Sequence, residues 1–249
     1  MRAILAGLVV AAVGVAGGAT TLAVGSAAQW AFVDVPSLNT FIRLANQTIA
    51  FVNERAGSEP VPPIPALGPG VGLRLSEAVG GVLRVGLQMA VANVGTRTQG
   101  TWTAEETSHP VDISLDVGFV AFAAELDLVL VPEILIVSAS AGWGTSRIGY
   151  RCVFPSPSAL PTDWSLPFLP EAEDTTYTGA GPVGTVAVQV SLPLGPGASA
   201  GFEVGFRLTA PSVPRAGTGV LDLNADGLGD PVGFSGPWLG LTVRLEFNL

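Results

Sequence analysis

The sequence predicts an all-β chain: an antiparallel transmembrane β-barrel of about eight strands, with one N-terminal amphipathic helix. Three observations carry that expectation. The 249 residues are 48% apolar but only 12% charged, and all 11 basic residues are arginine; an average soluble domain is about 25% charged. Apolar residues recur at every second position through five long runs. The positions between them hold glycine, alanine and serine with isolated charges, where a water-facing sheet would carry long polar side chains. The length suits one barrel or sandwich domain.

The first element is a leader. Arg2 precedes an uncharged stretch from Ala3 to Trp30, with its apolar heart at Ala3 to Ala16. The small residues Ser26-Ala27-Ala28 then supply a cleavage signal, so residues 1–28 read as a secretory leader cut after Ala28. An uncleaved membrane helix is the alternative. Gly14, Gly17, Gly18 and Gly25 loosen its second half and favour the leader.

Residues 29–69 form an N-terminal unit. Gln29 to Val35 is a short strand candidate. Pro36 and Ser37 open an amphipathic helix to about Arg55, with Leu38, Phe41, Ile42, Ala45, Ile49 and Val52 at helical spacing. That face suits a lumen plug, a membrane interface or packing beside the sheet. Pro60, Pro62, Pro63, Pro65 and Pro69 make the following linker extended.

From residue 70 to 249 the period is two, the strand signal. Leu83, Val85, Leu87, Met89 and Val91 form the first long run. Val111, Ile113, Leu115 and Val117 form the second, Val186, Val188, Val190 and Leu192 the third. Phe202, Val204, Phe206 and Leu208 follow, and Leu239, Leu241, Val243, Leu245, Phe247 and Leu249 close the chain. Apolar-out and polar-in with a dyad repeat is the membrane-barrel pattern. On that reading Arg74, Arg84, Arg207 and Arg244 pair inside the lumen with Asp112, Asp116, Glu203 and Glu246. Short connections fall near 77–81, 131–133 and 195–197, long ones near 95–110, 154–182 and 210–236, which gives eight strands by parity. Ten strands are the alternative, because segments 110–130 and 134–154 exceed one bilayer crossing of about 9–11 residues. The apolar phase slips near Phe119–Ala121 and Gly144–Ser146, as bulges would make it do.

The final run, Gly240-Leu241-Thr242-Val243-Arg244-Leu245-Glu246-Phe247-Asn248-Leu249, resembles the C-terminal strand of bacterial outer-membrane barrels. It departs by ending in Leu249, where such proteins commonly end in an aromatic residue. The resemblance implies a lipid bilayer and the barrel-assembly machinery as partners, and the cell outer membrane as location; secretion or a periplasmic location is the alternative. Phe119, Phe122, Trp143, Tyr150, Phe154, Phe202, Phe206 and Trp238 are the candidates for interfacial aromatic girdles.

One loop carries site chemistry. Asp222-Leu223-Asn224-Ala225-Asp226-Gly227-Leu228-Gly229-Asp230 resembles the calcium loops of EF-hands, dockerins and thrombospondin type 3 repeats. Calcium takes six to eight hard oxygens. Asp222, Asn224 and Asp226 supply side chains, Leu228 a backbone carbonyl, and Asp230 a carboxylate, making Ca2+ the expected structural cofactor. Gly233 stands where an EF-hand has its bidentate glutamate. A solvated turn uses the same residue types.

Other chemistry is sparse. His109, the only histidine, adjoins Ser108 and lies near Glu105 and Glu106, but a catalytic pair also needs a positioned base and an orienting partner. Cys152, the only cysteine, excludes an internal disulfide and reads as a small barrel residue. A net charge of −9 argues against nucleic acid. The expectation is a non-enzymatic barrel, structural or narrowly transporting. A secreted sandwich or lipocalin-like module and a lipid-modifying barrel enzyme are the alternatives.

Overall fold

The computed structural model describes residues 21–31, 36–55, 59–104, 107–155, 161, 166–168, 173–210, 212–223 and 228–248. In chain order these form β1 (Thr21–Ala31), helix α1 (Pro36–Asn53), β2 (Gly70–Gly80), β3 (Leu83–Ala104), β4 (Thr107–Val131), β5 (Leu135–Val153), β6 (Glu173–Gly195), β7 (Ala198–Thr209), a two-rung hairpin β8 (Arg215–Ala216) and β9 (Gly219–Val220), and β10 (Gly236–Asn248). Pairing runs β5-β4-β3-β2-β1-β10-β7-β6, and β5 also pairs β6. The sheet therefore closes into an eight-strand antiparallel ring, and closure removes the free edges of its lower part. The β8–β9 hairpin lies outside the ring and touches β6 at Thr178↔Arg215.

The first strand starts earlier than the sequence suggested. It runs from Thr21, pairs β10 from Thr21↔Asn248 to Ala31↔Trp238, and pairs β2 along its whole length. The expected strand 29–35 is thereby corrected; residues 32–35 lie outside the described residues. A cut after Ala28 would remove eight of its eleven residues. The misreading has a physical origin. The inward positions Ala23, Ala27 and Ala31 are buried but small, so residues 21–28 lack the alternation of large and polar side chains that marks the other strands.

The ring is lopsided. β1, β2, β7 and β10 have 11 to 13 residues, close to one tilted crossing. β3 to β6 have 22, 25, 19 and 23. These four rise beyond the others as a curved wall. The segment 95–110, expected as a loop, is the top of that wall, with β3 and β4 paired up to Ala104↔Thr107. The segment expected as the loop 154–182 is likewise strand from Glu173 onward. The turns β2–β3, β4–β5 and β6–β7 lie at the end that also holds Thr21 and Asn248; the β3–β4 connection and the long connections lie at the other.

The two halves of the wall strands have opposite polarity. Along the lower half of β4, Val120, Phe122, Leu126, Leu128 and Leu130 face outward, while Glu125 and Asp127 are buried inside. Above Phe119 the faces exchange. Val111, Ile113, Leu115 and Val117 point inward and are at most 2% exposed, whereas Asp112, Ser114, Asp116 and Gly118 face outward. The β4–β5 register stays continuous through Phe119↔Ser146 and shifts only between Val129 and Val131. The phase slip seen in the sequence is therefore not a bulge. It marks the level at which the outside of the strand changes from lipid to water, so the oily face must turn in.

Helix α1 covers the oily inner face of the wall. Leu38, Phe41, Ala45, Ile49 and Val52 are buried in one cluster with Ile113, Leu115, Ile148 and Tyr150. Phe41 stands edge-on to Tyr150 and Phe168, with ring centroids 5.4 and 6.0 Å away. The proline-rich segment then straps the helix to β3. Proline offers no N–H, so its carbonyls do the bonding: Thr98 and Thr96 hydroxyls donate to Pro62 and Pro65 carbonyls at 2.6 and 2.7 Å. Asn53 and Asn46 on α1 each both donate to and accept from the strap backbone, at Val61 and Ile64. Trp102 closes the corner through its indole N–H to Asn53 Oδ1 at 2.8 Å.

Candidate functional site in the barrel lumen

Alternation sends every second residue of each strand inward, and in the lower barrel those residues carry the charges. Arg74 on β2 lies 2.5 Å from Glu203 on β7 and 3.5 Å from Glu125 on β4. Arg84 on β3 makes a two-pronged contact with Glu246 on β10, at 2.6 and 3.1 Å. Arg244 on β10 reaches Asp127 at 2.8 Å and Glu246 at 3.4 Å. Ser138 donates to the other Asp127 oxygen at 2.6 Å. Arg207 on β7 lies 4.9 Å over the Phe119 ring and donates weakly to Gln29 at 3.5 Å. Among the described residues no carboxylate lies within 4 Å of Arg207.

The named members are four arginines (Arg74, Arg84, Arg207, Arg244) and four carboxylates (Glu125, Asp127, Glu203, Glu246), so their charges cancel. Seven of these side chains are at most 5% exposed; only Glu246, near the short-turn end, reaches 14%. Long-range pairs such as Arg84–Glu246 exist only because the ring closes. Trp238, also inward-facing, is 2% exposed, with the Arg74 guanidinium 5.8 Å from its ring. An eight-strand barrel encloses space enough only for side chains, and these residues occupy it. Above them the α1 cluster continues the seal.

The structure brings together Arg74, Arg84, Glu203, Arg244 and Glu246 of the expected network, and places Arg207 in the lumen with no acidic partner among the described residues. Asp112 and Asp116 are corrected: both face outward on the wall, above the polarity exchange. Asp112 there takes both prongs of Arg97 at 2.8 Å, with Arg151 at 3.5 Å. The hydrogen bond from Arg97 holds its carboxyl below the usual carboxylate range. Glu125, Asp127, Gln29 and Gln88 are the lumen residues that the sequence reading missed. Their signal was present in Glu125-Leu126-Asp127-Leu128, where two acids alternate with lipid-facing leucines.

The remaining candidates fall elsewhere. Phe122, Trp143, Phe202 and Phe206 face outward as girdle residues must, while Phe119, Tyr150, Phe154 and Trp238 point inward. In the acidic loop, Asn224 and Asp226 lie outside the described residues. At its ends Leu223 N–H donates to the Asp230 carboxylate at 2.7 Å and Asp230 N–H to the Leu221 carbonyl at 2.7 Å, so Asp222 and Asp230 sit at one closed neck. Leu228 is 71% exposed. His109 pairs with Trp102 near the top of the wall; Glu105 and Glu106 lie outside the described residues. Cys152 is buried, and burial pushes its thiol up to about 11, out of the range of a reactive thiolate.

No protein-family model and no curated protein matches the chain. Among solved structures the chain is similar to the outer membrane protein OprG from Pseudomonas aeruginosa, at 8% identity over 93% of this chain and 97% of that one, with a TM-score of 0.44. It is similar to Ail, the attachment invasion locus protein of Yersinia pestis, at 10% identity over 92% and 99%, with a TM-score of 0.41. A third is Neisserial surface protein A, at 12% identity over 92% and 97%, with a TM-score of 0.39.

Proposed function

We propose that this chain is a small, non-conducting outer-membrane barrel whose role is structural: it anchors a helix-capped wall at the cell surface. One observation carries the reading. The lower barrel presents a largely apolar outside, interrupted at Ser26 and, near the short-turn end, at Glu77, around a lumen filled by its own charged side chains, with the α1 cluster above. Such a chain needs lipid outside and leaves no water column inside. The leader, the assembly machinery and the outer-membrane location belong to this reading, with the long connections directed outward as in other such barrels. No catalytic role is assigned. The test is conductance in planar bilayers of the refolded protein, after heat-shifted gel migration has shown that the barrel is folded. The expected result is no step current; steady conductance would favour the narrow-transporter reading.

The acidic loop belongs to the same proposal as a calcium-ordered outer loop. Its support is the closed neck that sets Asp222 and Asp230 at the two ends of a nine-residue turn. Calorimetry with Ca2+, against a variant carrying Asp222→Ala and Asp226→Ala, should show heat only for the unsubstituted protein. No heat in either removes the site.

A further inference from the structure

Two adjoining depressions mark the outer face of the wall at the polarity exchange. The lower, about 690 Å³, is lined by Val91 and Val120 at its oily edge and by Asn93, Gly118 and Arg147 above. The upper, about 670 Å³, shares Asn93, Gly118 and Arg147 and continues to Asp116. Glycine makes the hollow. The register sets Gly95 beside Asp116, Gly118 between Asn93 and Arg147, and Gly149 beside Asp116. A Cβ at Gly118 would stand 2.8 Å from Asn93 Oδ1, and one at Gly95 2.6 Å from Asp116 Oδ1, so both side chains lie across bare backbone.

Arg147 is the cation of this hollow. It faces outward on β5, two residues above Thr145 and four above the lipid-facing Trp143, and among the described residues it makes no ion pair. Arg97 and Arg151, higher up, are occupied by Asp112. An arginine at the upper border of an apolar band meets headgroups, and its planar fork matches phosphate oxygens. The Asp116 carboxylate beside it repels a bare anion but accepts from hydroxyl donors, and the Asn93 amide both accepts and donates. The apolar edge below continues directly into the lipid-facing band.

We propose that this hollow holds the headgroup of an outer-leaflet glycolipid that carries phosphate on a sugar, with Arg147 on the phosphate, Asp116 and Asn93 on sugar hydroxyls, and acyl chain against Val91 and Val120. The proposal rests on the membrane orientation given above. The experiment uses the full chain refolded in lipid nanodiscs, with folding checked by heat-shifted migration. That check fails if the membrane reading is wrong and passes if only the headgroup site is wrong. The probe is a diphosphorylated glucosamine disaccharide lipid, and retained lipid is counted by native mass spectrometry. The wild type should retain this lipid about tenfold better than Arg147→Gln, as expected for one charge-assisted fork. Phosphatidylglycerol, which has phosphate but no sugar, and inorganic phosphate should both be retained more weakly. Equal retention by Arg147→Gln, or no preference for the phospho-sugar lipid over phosphatidylglycerol, overturns the proposal.

Discussion

Replacing Arg74 by methionine tests whether the lumen network holds the barrel together. Arg74 is the shared cation of two carboxylates, at 2.5 Å from Glu203 and 3.5 Å from Glu125, and all three side chains are at most 5% exposed. Removing one partner of a buried ion pair costs about 3–5 kcal/mol, because the charge left behind has neither water nor a partner. Here two charges are stranded, so the upper part of that range applies. Urea unfolding in vesicles, followed by tryptophan fluorescence, is the assay. At a slope of about 2 kcal/mol per molar urea, the midpoint should fall by about 2 M. Adding Glu203→Gln to Arg74→Met removes one stranded charge and should recover at least half of the loss. A loss below about 1 kcal/mol for Arg74→Met, or no recovery in the double variant, would refute the reasoning that the network is a tightly coupled buried unit.

Three further predictions follow from the same geometry. Leu126→Arg, in the middle of the outward apolar run of β4, should cost about 2–4 kcal/mol in the same unfolding assay, as a charge near the bilayer midplane does; Gln99→Arg, also outward but on the upper wall, should change stability by less than about 0.5 kcal/mol. Phe41→Ala removes a ring that is 1% exposed in the α1 cluster and should cost about 3–5 kcal/mol locally, read as faster amide exchange across 36–53 with β1 and β10 unchanged. Intact mass of the mature protein purified from membranes should show that the chain retains Thr21, since β1 pairs both neighbours from that residue; a mass corresponding to a start at Gln29 would contradict ring closure through β1.

Alternation, the lumen arginines, the helix face and the extended proline segment are all written in the sequence, because each depends on residues close together along the chain. Leu38, Phe41, Ala45, Ile49 and Val52 name the buried side of α1 without any knowledge of its partner. Runs such as Phe202-Glu203-Val204 show that the two faces of a strand differ. What a dyad repeat cannot state is which face is outside. Val111, Ile113, Leu115 and Val117 alternate just as the lipid-facing Leu239 to Phe247 run does, yet they line a core, and Asp112 and Asp116 beside them face water and not the lumen. The surroundings change from lipid to water along one continuous strand, and only the relative heights of eight strands reveal where. Ring closure decided the rest. It set Arg84 against Glu246, 162 residues apart, and made a strand of Thr21–Ala31, whose small inward residues lack the alternation of the other strands, so that only its pairing with β10 and β2 reveals it.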